Sequence, residues 1–133
     1  MKKLLLSLIL VAGIGAQPGS AHHGTAVVYD LTGPPMTIEG RVTAIVWRNP
    51  HVLISVDVRD ETAKIVNWTL EHNNVHTLAQ QGYNANTLQL GQQVTAVIHG
   101  SRSGAPKGLT VKIILANGKE ILQRETARQT PLP

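Results

Sequence analysis

Thr37-Ile38-Glu39-Gly40-Arg41-Val42-Thr43-Ala44-Ile45-Val46-Trp47 is the stretch on which the fold turns. Ile38, Val42, Ala44 and Val46 recur on one face while Glu39, Arg41 and Thr43 take the other, the period-two pattern of a half-buried strand. Arg48-Asn49-Pro50 then reads as a tight turn. His51 to Val58 repeats the pattern with Val52, Ile54, Val56 and Val58 inward, and a polar loop follows from Arg59 to Ala63. Lys64 to Glu71 is a third strand, with Val66, Trp68 and Leu70 inward.

Past Glu71 the period changes. Asn73 or Asn74 can cap a helix whose apolar positions are Val75, Leu78 and Ala79, with Gly82 as its stop. Gln93 to His99 and Leu109 to Leu115 resume alternation, with Val94, Ala96 and Ile98, then Leu109, Val111, Ile113 and Leu115, inward. A Gly/Ser/Pro loop from Gly100 to Gly108 joins them. Asn117-Gly118 is a hairpin signal that would return Lys119 to Leu122 as a short strand. Three strands, a helix and two more strands is the order of a mostly β, small five-stranded OB-fold-like barrel with one short helix between strands 3 and 4. Closure would pair the first strand with the fourth and hide the sheet edges.

Outward from the barrel (37–122) lie three further segments. Lys2 and Lys3, the apolar run Leu4 to Ala16, and Gln17-Pro18-Gly19-Ser20-Ala21 form the layout of a cleaved signal peptide over 1–21. A cut after Ala21 starts the mature chain at His22-His23-Gly24; a cut after Ser20 starts it at Ala21-His22-His23. Residues 22–36 read as an extended arm ending in Gly33-Pro34-Pro35, and 123–133 as a flexible polar tail. The expected destination is the periplasm.

Removing 21 of the 133 residues leaves 112, the length of one domain. There is no cysteine, hence no disulfide, thiolate site, thiol nucleophile or lipidated cysteine. The apolar run is shorter than the roughly 20 residues a spanning helix needs, so no membrane anchor is expected after cleavage. The net charge of +4 includes Lys2 and Lys3, and the basic residues are scattered rather than clustered. With Tyr29, Trp47, Trp68 and Tyr83 as its only aromatics, the chain lacks the basic, stacking footprint of a nucleic-acid binder. No serine sits in a Gly-x-Ser-x-Gly elbow and no glycine loop suited to phosphate opens the helix, so no enzyme is expected.

The histidines carry the remaining chemistry. An amino-terminal His binds copper through its amine and ring together, and a His at position three wraps copper or nickel in four nitrogens; a plain polar start also accounts for the pair. If the 59–63 loop closes a regular hairpin, His51 stands opposite Glu71. The 48–50 turn likewise sets Trp47 opposite His51, giving an outward row of Trp47, His51 and Glu71 with Cβ atoms roughly 4.5–5.5 Å apart. A histidine beside a carboxylate suits a metal ligand and its orienting partner, and suits an ordinary surface pair as well. His72 and His76 have the i, i+4 spacing of a helical metal pair, although His72 precedes the caps. His99 falls on the outward side of the fourth strand. Imidazoles without thiolates fit Cu(II), Zn or Ni.

Ala21-His22-His23-Gly24, Thr37-Ile38-Glu39-Gly40-Arg41-Val42-Thr43, Trp47-Arg48-Asn49-Pro50-His51, Val66-Asn67-Trp68 with Glu71, and Leu90-Gly91-Gln92-Gln93-Val94 together resemble an exported bacterial family, the domain-of-unknown-function 6152 family. The resemblance spans essentially the whole mature domain, and Trp-x-Asn-Pro-His is its most specific element. It implies an OB-type barrel, a periplasmic location and no established activity. The positions carried over are His22, His23, Trp47, Asn49, His51 and Glu71. Gly24-Thr25 and His72-Asn73-Asn74 stand where members commonly have Ser-Phe and Gly-Ser-Pro, and the resemblance implies that His72 and His76 are particular to this chain.

The sequence therefore points to a non-enzymatic binding protein with a divalent-metal site, copper first, of His22, His23 and His51. Glu71 would orient or ligate, with Trp47 and Asn49 shaping the site. The alternative is a metal-independent module for a small ligand, glycan or envelope protein, using the face around Trp47, Leu53 and Thr69.

Overall fold

The computed structural model describes residues 22–124; the candidate signal peptide 1–21 and residues 125–133 lie outside the described residues. The elements are α1 (His22–Val28), β1 (Met36–Val46), β2 (Leu53–Arg59), β3 (Ile65–Glu71), α2 (Val75–Gln80), β4 (Gln93–Gly100), β5 (Lys107–Leu115) and β6 (Glu120–Ile121). β1 is the longest strand because it serves two partners. It pairs antiparallel with β2 from Gly40↔Val58 to Val46↔Leu53, and with β4 from Met36↔Ile98 to Arg41↔Gln93. Gly40 lies where the two pairings overlap, and a Cβ there would come within 2.6 Å of the Asp57 carbonyl oxygen.

β2 and β3 form a hairpin, β4 pairs with β5, and a parallel pairing of β3 with β5 (Thr69↔Lys107 to Glu71↔Leu109) closes the ring. The result is the five-stranded OB-like barrel expected from the strand and helix order, with α2 between the third and fourth strands. Gly108 lies in this closing pairing opposite Leu70, and on its β4 side a Cβ would overlap the Ile98 side chain at 2.5 Å. Ile38, Val42, Val52, Ile54, Val56, Leu70, Val94, Ala96, Ile98 and Ile113 fill the interior, joined by Leu78 of α2, Leu88, Ile121 and Leu122. Asn74 is the cap of α2, its Oδ1 accepting from the Thr77 N–H at 2.8 Å.

Two bulges correct the inward sets read from strict alternation. Thr43 is an extra residue in β1, since Val42 pairs with Val56 and Ala44 already with Ser55. One inserted residue exchanges the faces of everything after it. Ile45 and Trp47, rather than Ala44 and Val46, therefore pack against the core. Val111 is the extra residue in β5, so Thr110 is buried and Val111 only partly so.

Two terminal segments also differ from expectation. Residues 22–28 are helical rather than extended. Seven residues are too few for a helix stable on its own, and the β4–β5 loop supplies the missing support. There the Arg102 N–H donates to the Val28 carbonyl at 2.9 Å and its Nε to the Ala26 carbonyl at 2.9 Å, occupying acceptors at the helix end. At the other terminus, Arg124 is not part of a frayed tail: its N–H donates to the Val111 carbonyl at 2.8 Å.

Candidate functional site

The β2–β3 loop sets the register of the site. Asp60 Oδ1 accepts from the N–H and hydroxyl of Thr62 and from the N–H of Lys64, which centres the turn one residue later than a hairpin looped over 59–63 would. Arg59 consequently pairs with Ile65, and Glu71 faces Leu53 rather than His51. The displacement is two residues, which preserves the face. His51 reaches Glu71 diagonally, with Nδ1 2.9 Å from Oε1. Glu71 Oε2 accepts a second hydrogen bond, from the Tyr29 hydroxyl at 2.7 Å.

Tyr29 arrives from the segment after α1. Its backbone bridges to Ser101, the next N–H (Asp30) donates to the Gly100 carbonyl at 2.9 Å, and the residue is 4% exposed. Burial, and the Glu71 carboxylate that accepts its hydrogen bond, hold the phenol well above its usual range. A carboxylate accepting from both sides leaves His51 Nδ1 as the donor, so Nε2 of the half-exposed ring is the open nitrogen. This is the arrangement in which a carboxylate fixes the tautomer and orientation of a metal-binding histidine.

A family model described as a family of unknown function (DUF6152) matches residues 10–111. The chain belongs to this family. No curated protein and no solved structure matches it. The DUF6152 match takes in Tyr29, His51 and Glu71 and ends within β5, before Arg124.

The other expected site residues are dispersed. The bulge at Thr43 turns Trp47 against the core, partly buried, and out of the His51–Glu71 row. Asn49 Oδ1 accepts from the Val75 N–H at 3.1 Å, tying the turn before His51 to the start of α2. His22 and His23 begin α1, but their side chains lie outside the described residues. Among the described residues no group of three or more His, Asp or Glu side chains is arranged to hold a metal. His72 and His76 do not share a face: His76 is exposed, while His72 is buried with Nε2 3.3 Å from Thr110 Oγ1. Burial, aided by the Arg124 charge, lowers the His72 pKa to about 3. His99 Nδ1 lies 3.0 Å from the Asp30 carbonyl oxygen. Of the alternative ligand face, Thr69 is paired with Lys107 and its N–H donates to the Pro106 carbonyl.

Two residues at the site come from outside the expected set. Tyr29 is the one aromatic residue ahead of the first strand, which marks it as a possible anchor for the arm. Arg124 donates from Nη1 to Asn73 Oδ1 at 2.8 Å and from Nε to the Thr110 carbonyl at 3.1 Å. A single arginine in a polar tail carries no periodic signal. Among the described residues no helix is long and apolar enough to cross a membrane.

Proposed function

We propose that this DUF6152 protein is an exported, non-catalytic periplasmic barrel that binds a divalent metal, copper first and zinc or nickel as alternatives. His51 Nε2 and the amino-terminal His22 and His23 are the ligands in this reading, and Glu71 orients His51. The supporting observation is the shared carboxylate: Glu71 receives Tyr29 on one oxygen and His51 Nδ1 on the other, which leaves the imidazole nitrogen facing solvent open. Export rests on the lysine-led apolar run and small-residue break of residues 1–21.

The arm has the reach. Tyr29 is fastened at Glu71, and about 10 Å of helical rise separates it from His22. Extended chain would cover more, about 3.3 Å per residue, so α1 can deliver its histidines to His51 by unwinding in part.

A copper(II) titration of the periplasmic protein, its amino terminus read by intact mass, tests the reading. A stoichiometric, nitrogen-rich electron paramagnetic resonance signal is expected, weakened both by His51→Ala and by an extra residue ahead of His22. Affinity should fall as pH drops through the imidazole range, because protons compete for the ligand nitrogens. Unchanged affinity in His51→Ala removes the joint site.

A further inference from the structure

The C-terminal segment returns to the site on an apolar anchor. Ile121 and Leu122 are buried at 3% and 2% exposure, and Leu122, at φ +50°, redirects the chain. Arg124 then lies against β5, its N–H on the carbonyl of Val111, the bulged residue. Its guanidinium divides between the Thr110 carbonyl on β5 and the Asn73 side chain just beyond β3.

Asn73 is the link to the site. The Val52 N–H donates to the Asn73 carbonyl at 3.1 Å and the His72 N–H to the Val52 carbonyl at 2.9 Å. These bonds carry the β2–β3 pairing past Glu71 to the residues flanking His51. A planar guanidinium holding both β5 and Asn73 therefore fixes the stretch of β3 from which Glu71 projects. Burial works against its charge, and the Glu71 carboxylate favours it.

We propose that Arg124 is a positioning residue for the His51–Glu71 pair. By pinning Asn73, it keeps one carboxylate oxygen on Tyr29 and the other on His51 Nδ1. His51 is thereby held with Nε2 outward. The consequence for copper rests on the metal reading above; the consequence for the His51 ring does not.

The experiment uses the chain labelled with nitrogen-15, metal-free and in mildly alkaline buffer, reading the ring nitrogens of His51 and then titrating copper(II). The wild type is expected to hold one tautomer, with hydrogen on Nδ1. Arg124→Gln should mix the tautomers and weaken copper binding by about tenfold, the scale of a lost orienting partner. Arg124→Lys, which keeps the charge but not the two-pronged geometry, should fall between. Asn73→Ala removes the same pin while leaving the Thr110 contact, and stands in if Arg124→Gln does not fold. A wild-type His51 ring spectrum in either folded variant overturns the proposal. If His51→Ala leaves copper affinity unchanged, the metal reading fails while the ring spectra still settle the role of Arg124.

Discussion

Glu71 divides its two carboxylate oxygens between a buried phenol and a half-exposed imidazole, and most of the chemistry near the site follows from that division. Tyr29→Phe removes one donor with little change of volume. It should lower stability by about 1.5–3 kcal/mol in urea unfolding, the scale of a hydrogen bond to a charged group. Equal stability would mean that water replaces the hydroxyl without loss. His72 gives a second expectation, with a definite sign. Its folded pKa is about 3, against 6.5 for an unburied histidine. Between those values the unfolded chain takes up a proton that the folded chain refuses. Its contribution to stability is whole above about pH 6.5 and is lost as pH falls towards 3, amounting to a few kcal/mol at most (about 1.4 kcal/mol per pKa unit). Urea midpoints measured across that window should fall more steeply for the wild type than for His72→Gln; parallel curves would count against it. The His51–Glu71 contact was legible in the sequence because an error of two positions leaves a strand residue on its own face. Tyr29 and Arg124 were not, since both come from irregular segments where no period links a residue to a partner.

At the scale of elements, alternation was a sound guide to the strands but not to every face they present. Val52, Ile54 and Val56 point inward as read, whereas β1 departs from the pattern after Thr43 and β5 at Val111. A bulge carries no compositional mark in Val-Thr-Ala or Thr-Val-Lys, so the reversal that turns Trp47 against the core appears only once β1 has to bend around the barrel. The helix α1 was hidden for a different reason: its support is Arg102, 74 residues beyond Val28, a partner that local propensity cannot register. Gly40 and Gly24 separate the two situations experimentally. Gly40→Ala sets a methyl group against the Asp57 carbonyl and should cost about 1–3 kcal/mol, measured by urea unfolding. Gly24→Ala meets nothing within 4 Å and lies in a helix, so it should leave the barrel as stable as before and raise the helicity of α1. A Gly40→Ala protein with wild-type stability would show that β1 can bend without the close approach.

For the whole molecule, the barrel and the pieces that complete the site are distinct bodies of contact. The main core cluster runs from Ile38 to Leu122 and includes no residue of the arm. The arm is held instead by Tyr29, by Ser101 and Arg102 of the β4–β5 loop, and by the Asp30 contacts to Gly100 and His99. A chain beginning at Met36 should therefore keep its β circular dichroism and the slow amide exchange of Ile54, Val56, Ile98 and Ile113. Its stability should fall by about 2–3 kcal/mol, the scale of uncovering one large buried side chain such as Tyr29. His51 would lose its fixed orientation at the same time, because Glu71 would be free to turn towards solvent once the phenol is gone. Failure of that chain to fold would make the arm part of the folding unit. Retention of the fold together with an unaltered His51 ring spectrum would place the control of His51 wholly on the β3 side, with Arg124 and Asn73, and reduce Tyr29 to an anchor for α1.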